Sequence, residues 1–253
     1  MRKWAFLALA LVGLASIAAT CRITNDARTE IDGDEHYGAE MVNETGANIL
    51  NHRFRVAFIG NDNQILTNVV VDGCLRSMQA GESNFFSADS NRNPSQVKAV
   101  LARLEGPLTF GDVVNGDIEI SDISAVRTGE SLVVTGTITN EDNDELENAR
   151  VCVVVINDSG DIVVTARDND TFNLDPDEAG NFSVTITVPN ESDDVDRVEV
   201  LVDAINADED DRVTEPQSAG EDVRTATPTV TGTPPTSTAT PTATLTPTAT
   251  PTP

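Results

Sequence analysis

The 253-residue chain reads as all-β, with two tandem immunoglobulin-like antiparallel β-sandwich domains and a disordered C-terminal tail. Three observations predict this. Apolar residues alternate in short segments separated by Asn, Asp and Gly clusters, and no stretch holds a convincing helical period. A pattern beginning at Val42 returns 97 residues later. Beyond residue 225 the chain holds 13 Thr and seven Pro in 28 residues, a composition that builds no core.

The first twenty residues carry Arg2 and Lys3 ahead of an uncharged Ala- and Leu-rich run that ends in small residues. That order predicts a signal peptide over 1–20 and an exported protein. Two routes fit the end of the run. Ordinary cleavage near Ala18 or Ala19 releases a secreted chain, while Ala18-Ala19-Thr20-Cys21 resembles a bacterial lipobox and makes Cys21 a lipidation site. Residues 21–35 read as a linker.

The first sandwich is expected over 36–111 and the second over 117–206, and the repeat sets these bounds. Asn43, Glu44, Asn51 and Arg53 stand over Asn140, Glu141, Asn148 and Arg150. Phe54, Val56, Phe58 and Ile65 stand over Val151, Val153, Val155 and Ile162. One residue is then lost, and Met78 to Glu82 lies over Leu174 to Glu178. Two copies are too few for a solenoid, so they predict paired domains, each long enough for one modest core. Strand periods lie at 54–58, 131–140 and 182–188, and residues 151–156 are apolar throughout, as a doubly covered central strand requires. By the logic of the repeat, residues 95–104 form a final strand. Residues 207–225 read as an acidic linker, and 226–253 as an extended Thr/Pro spacer or stalk.

The order of these motifs resembles the FxLYD family of small immunoglobulin-like domains on exported bacterial proteins. Its carriers are Gly136-Thr137-Ile138-Thr139-Asn140, the strand from Val151 to Val155, the turn from Asp158 to Ile162, and Leu174 to Glu178. Val42-Asn43-Glu44, Phe54 to Phe58 and Ala80-Gly81-Glu82 carry it in the first copy. Ile59-Gly60 and Ile156-Asn157 stand where the family has Tyr-Asp. The resemblance implies a sandwich fold and names no activity, because sandwiches host unrelated functions.

Charge separates the two copies. The whole chain carries −26; residues 36–111 hold seven acids and six bases, whereas 117–206 hold 22 acids and four bases. With two lysines, Lys3 and Lys98, the chain lacks the basic surface that phosphate neutralisation demands, so no nucleic acid is expected as partner. Trp4 is the one Trp and Tyr37 the one Tyr, too few aromatic platforms for sugar binding or glycoside hydrolysis. Oxygen-rich acidic loops suit calcium in general. The candidate ligands are Asp142, Asp144 and Glu145 facing Asp193, Asp194 and Asp196, although none of these loops has EF-hand spacing and solvated surface is the simpler reading. Cys74 and Cys152, one per copy, are read first as isolated thiols and alternatively as an interdomain disulfide. A Cys74–His52 dyad is a remote nucleophilic alternative, and His36 and His52 are otherwise structural.

The sequence therefore leads to a non-enzymatic exported protein at the cell surface or outside the cell, with spacing, adhesion or protein-binding roles. A calcium-binding surface module is the alternative and a small hydrolase a further one. No catalytic residue and no cofactor beyond that calcium is assigned. The partner is a protein or a cell-envelope component, with membrane contact only through a lipidated Cys21.

Overall fold

A computed structural model of the protein describes residues 21–114, 116–189, 195–207, 213–214 and 217–225. The expected signal peptide and Thr/Pro tail lie outside the described residues, as do Asp193 and Asp194. Regular structure among the described residues is strand, apart from one 3-10 turn at Pro94–Gln96.

Nine strands build the first sandwich: β1 (Cys21–Ile31), β2 (Asp34–Asn43), β3 (Ile49–Leu50), β4 (Arg53–Gly60), β5 (Ile65–Asp72), β6 (Ser77–Met78), β7 (Ser83–Asp89), β8 (Val97–Leu104) and β9 (Thr109–Phe110). One sheet runs β1-β2-β7, the other β5-β4-β8, and β6-β3-β9 closes an end. Between the two main sheets, Phe54, Val56 and Phe58 of β4 meet Tyr37, Ala39, Met41 and Phe86. These residues alternate along their strands, so one face is buried and the other left to solvent. Phe54 stacks on Phe86 with ring centroids 4.2 Å apart, which fixes the two sheets face to face.

The second sandwich follows with β10 (Val113–Val114), β11 (Ile118–Thr128), β12 (Ser131–Asn140), β13 (Leu146–Ile156), β14 (Ile162–Arg167), β15 (Phe172–Leu174), β16 (Ala179–Thr187), β17 (Arg197–Asn206), β18 (Val213–Thr214), β19 (Gln217–Asp222) and β20 (Arg224–Thr225). Its sheets repeat the first pair: β11-β12-β16 corresponds to β1-β2-β7, and β14-β13-β17 to β5-β4-β8. The expected strand over 95–104 is β8, which pairs with β4 as β17 pairs with β13. As its unbroken apolar run requires, β13 is central and covered on both sides, with residues from Val151 to Ile156 all buried.

The repeat is legible at the level of single hydrogen bonds. Buried Asn43 donates from its amide to the carbonyls of Ala47, Met78 and Gln79, and buried Asn140 donates to those of Asp144 and Leu174. Each Asn oxygen accepts from the backbone two residues on, at Thr45 and Asp142. Glu82 and Glu178 close the same turn by accepting from Gln79 N and Asp175 N. One Asn thus ties a strand end, the following loop and a second turn together in each domain.

Two boundaries differ from the sequence reading. Residues 21–35 are not a linker: β1 and the start of β2 occupy them, and their counterparts β11 and β12 begin and end 97 residues later. Both first strands carry a bulge, with Asn25 at φ 47° and Asp122 at φ 51°. Short polar side chains tolerate that backbone, and each extra residue breaks the two-residue period that would have revealed the strand. Residues 207–225 are likewise not all linker, because β19 pairs along six residues of β17. Its one hydrophobic residue apart from Gly220 is Ala219, so backbone hydrogen bonding rather than side-chain pattern places it.

Candidate functional site

The two sandwiches meet at a junction built by Asp72 at the end of β5 and by residues 73–76, the loop between β5 and β6. Cys74 is joined to Cys152 of β13 by a disulfide with a Cα–Cα distance of 5.4 Å. Two arginines of the second sandwich hold the loop backbone: Arg150 donates to the Cys74 carbonyl at 3.2 Å, and Arg167 donates to that of Gly73. Leu75 completes an apolar cluster with Phe85, Val154, Ile156, Ile162 and Leu201, so the junction has a core of its own. Closing 78 residues of chain, the disulfide stabilises the fold by about 4.5 kcal/mol on chain-entropy grounds.

Above that cluster sits Asp203, wholly buried on β17. Arg76 approaches from the first sandwich at 3.3 Å and Arg150 from the second at 3.9 Å, and the Arg76 backbone N–H donates to the same carboxylate. Burial raises the Asp203 carboxyl above its ordinary value, and Arg76 followed by Arg150 holds the rise back. Arg167 bridges back to Asp72 of the first sandwich at 3.6 Å. A buried carboxylate shared by guanidiniums from both sides is costly to break, because one partner alone is an uncompensated buried charge.

Close packing reinforces the charge. β14 lies on the outer face of β1-β2-β7, reaching β1 in a parallel bridge at Asp26 and Ile162. Gly38 of β2 makes this approach possible, since a Cβ there would come 2.3 Å from the Ile162 carbonyl oxygen. Ser87 Oγ of β7 accepts from Thr165 N at 3.0 Å, satisfying the edge of β14.

Beside the junction lies a cleft of about 390 Å³, with Phe85 and Leu201 on its floor and Glu40, Ser83, Arg197 and Glu199 on its walls. Glu40 is fixed by donors from Thr24, Asn25 and Ser83. Burial pushes the Glu199 carboxyl up, with a Ser218 hydrogen bond and Arg197 opposing. The cleft therefore sets buried Phe85 and Leu201 beside carboxylates held in place by hydrogen bonds.

No family model and no curated protein matches the chain. Solved structures similar to it include a β-glucuronidase of Bacteroides uniformis (13% identity, TM-score 0.31), covering 75% of this chain and 26% of that one. Red sea bream transglutaminase is similar at 12% identity and TM-score 0.26, over 80% of this chain and 32% of its own. A putative β-galactosidase of Bacteroides fragilis shows 10% identity and TM-score 0.29 over 74% and 32%. The chain spans about a quarter to a third of each of these proteins.

The residues singled out in the sequence fall into place unevenly. Cys74 and Cys152 are not isolated thiols, because the fold brings the β5–β6 loop onto the middle of β13. The disulfide also removes the nucleophile that a Cys74–His52 dyad requires. His52 is structural: its Nε2 lies 2.6 Å from the Asn84 amide and its ring meets the edge of Phe54. Burial, with a smaller contribution from Arg167, holds its imidazole down to about 4. His36 lies 3.6 Å from Asp89 at the far end of β2.

Among the described residues of the expected calcium loops, Asp196 does not face Asp142, Asp144 and Glu145; Asp193 and Asp194 lie outside the described residues. Asp142, Asp144 and Glu145 precede β13, whose first residue Leu146 pairs with Asn206, whereas Asp196 hydrogen-bonds to Ile156 at the other end of that strand. The ten steps from Leu146 to Ile156, at ~3.3 Å each, place Asp196 roughly 33 Å from Glu145. Among the described residues no group of three or more His, Cys, Asp or Glu has metal-binding geometry. Cys21 is a free, half-buried thiol at the first position of β1, and burial raises its pKa. Sequence reading missed Asp203, Arg76 and Arg167. An acid amid the buried run of β17 was the available signal, but its partners come from elsewhere in the chain: Arg76 from the β5–β6 loop, Arg150 from the neighbouring strand β13 and Arg167 from the end of β14.

Proposed function

We propose that this chain is a non-enzymatic exported protein with FxLYD-like domains, acting at the cell envelope or outside the cell as a rigid spacer and protein-binding module. The observation that carries the reading is the junction: a disulfide, a shared buried Asp203 and an apolar cluster unite the sandwiches. Rigidity of this kind limits the ordering cost of engaging a partner, as a spacer or adhesin requires. A disulfide on which the domain arrangement depends also suits an oxidising compartment. Cys21, at the start of β1, serves as the lipid anchor in the membrane-bound form of this proposal.

The test is fractionation of the native host with protease added to intact cells. Recovery of the chain in the surface or extracellular fraction, with digestion of any cell-bound portion, is the expected result. A chain confined to the cytoplasm and shielded from protease overturns the proposal. Mass analysis of the mature N-terminus then distinguishes acylated Cys21 from free secretion.

A further inference from the structure

The junction treats two acids of β17 differently. Glu199, Leu201 and Asp203 alternate onto the face of that strand that meets the first sandwich. At Asp203 the first sandwich answers with Arg76. At Glu199 it presents another acid. Glu40 of β2 shares its face with Gly38, which packs on β14, and stands opposite Phe85 of β7, a member of the junction's apolar cluster. Glu40 and Glu199 thus line one cleft from the two sandwiches.

Folding therefore brings like charges together where water is partly excluded, which disfavours the ionised pair. Burial raises the Glu199 carboxyl first; Ser218 and Arg197 oppose the rise, and Glu40 adds to it. Both carboxylates are nonetheless fixed. Thr24, Asn25 and Ser83 donate to Glu40, and Ser218 donates to Glu199. An ionised carboxylate accepts about four hydrogen bonds, so each keeps room for a further donor. Among the described residues that line the cleft, Arg197 is the one base against Glu40, Glu82 and Glu199, so an entering cation meets net negative charge.

Shape narrows the ligand. The cleft of about 390 Å³ lies toward the lower end of the roughly 300–1,000 Å³ usual for small-ligand sites, and domain boundaries are where such sites commonly occur. Leu75, Phe85, Ile156, Ile162 and Leu201 give it an apolar lining. Calcium wants roughly six to eight oxygens and gains nothing from that lining. An ammonium or guanidinium on a short apolar stem uses both features: its head makes charge-assisted hydrogen bonds to carboxylate, and its stem lies along apolar surface.

We propose that the cleft binds an organic cation of this kind, with its head between Glu40 and Glu199 and its stem against Phe85 and Leu201. Free alkylamines and the Lys or Arg side chains of a partner protein carry the same chemistry. The site rests on the cleft and not on where the chain resides, so a cytoplasmic location would leave it standing.

Isothermal titration calorimetry of the full oxidised chain at neutral pH tests the proposal. The probes are diaminopentane, the N-acetyl amides of lysine and arginine, and N-acetyl-norleucine amide, which keeps the stem without the charge. Saturable binding of a cationic probe is expected, diaminopentane marking a free amine and the blocked amino acids a protein side chain, with the norleucine compound at least about tenfold weaker. Glu40→Gln and Glu199→Gln should each weaken binding about tenfold or more. Asp142→Asn, beyond the far end of β13, should leave it unchanged. Hydrogen exchange of the unaltered chain needs no variant: amides around Glu40 and Glu199 should gain protection when the cation is added. Absence of saturable binding by every cationic probe up to about 10 mM overturns the proposal. Equal affinity for the norleucine compound, or affinity indifferent to both Gln substitutions, also overturns it, as does a cleft that takes calcium alone.

Discussion

Arg76 of the first sandwich and Asp203 of the second meet with 3.3 Å between guanidinium nitrogen and carboxylate oxygen, and Asp203 is wholly shielded from water. The pair lies beside the loop that carries Cys74, so covalent and ionic ties reinforce one another at one place.

Asp203→Ala should therefore cost ~3–5 kcal/mol, because Arg76 and Arg150 lose the carboxylate that offsets their burial. Urea unfolding of the oxidised protein measures it. A loss below about 1 kcal/mol would mean that the network contributes little to the junction.

Asn43→Ala and Asn140→Ala should each cost about 2–3 kcal/mol, since each leaves carbonyls of two turns without a donor. The residues lie in different sandwiches, so the double variant should equal the sum within ~0.5 kcal/mol. Unequal effects would show that the shared motif does not do the same work in the two domains.

Gly38→Ala should destabilise by about 2 kcal/mol or more, because its Cβ would meet the Ile162 carbonyl oxygen at 2.3 Å. Gly220→Ala is the control: its Cβ would lie 3.5 Å from the Val198 oxygen, so the contact is ordinary and the change should stay within ~0.5 kcal/mol. Thermal unfolding of the two variants side by side distinguishes close approach from a general effect of losing glycine.

The His52 imidazole titrates at about 4 in the fold against an ordinary 6.5. Above pH 6.5 both states are neutral and the group contributes no pH dependence. As pH falls from 6.5 toward 4, the unfolded chain gains a proton that the fold refuses, so stability drops by about 3 kcal/mol in total. His52→Gln should flatten that part of the acid limb relative to the unaltered chain. Denaturant titrations at pH 7, 5.5 and 4.5 that superimpose for both proteins would contradict the burial of this ring.

Much of the fold was legible because β-sandwich strands announce themselves through alternating side chains, as Phe54, Val56 and Phe58 do. Asn43 and Asn140 were visible as a repeat, although their role as turn clamps was not. β1 escaped because the bulge at Asn25 disrupts its alternation, and β19 because it is held by its backbone against β17. The junction was the least legible part. Cys74 and Cys152 stand 78 residues apart, and their pairing depends on how two domains pack, which neither domain's own pattern encodes.

Disulfide mapping of the chain recovered from its native host, with thiols blocked before any reduction, tests the central claim most directly. The account predicts one linked peptide pair containing Cys74 and Cys152. Recovery of both as blocked free thiols would contradict both the oxidising location and the covalent clamp.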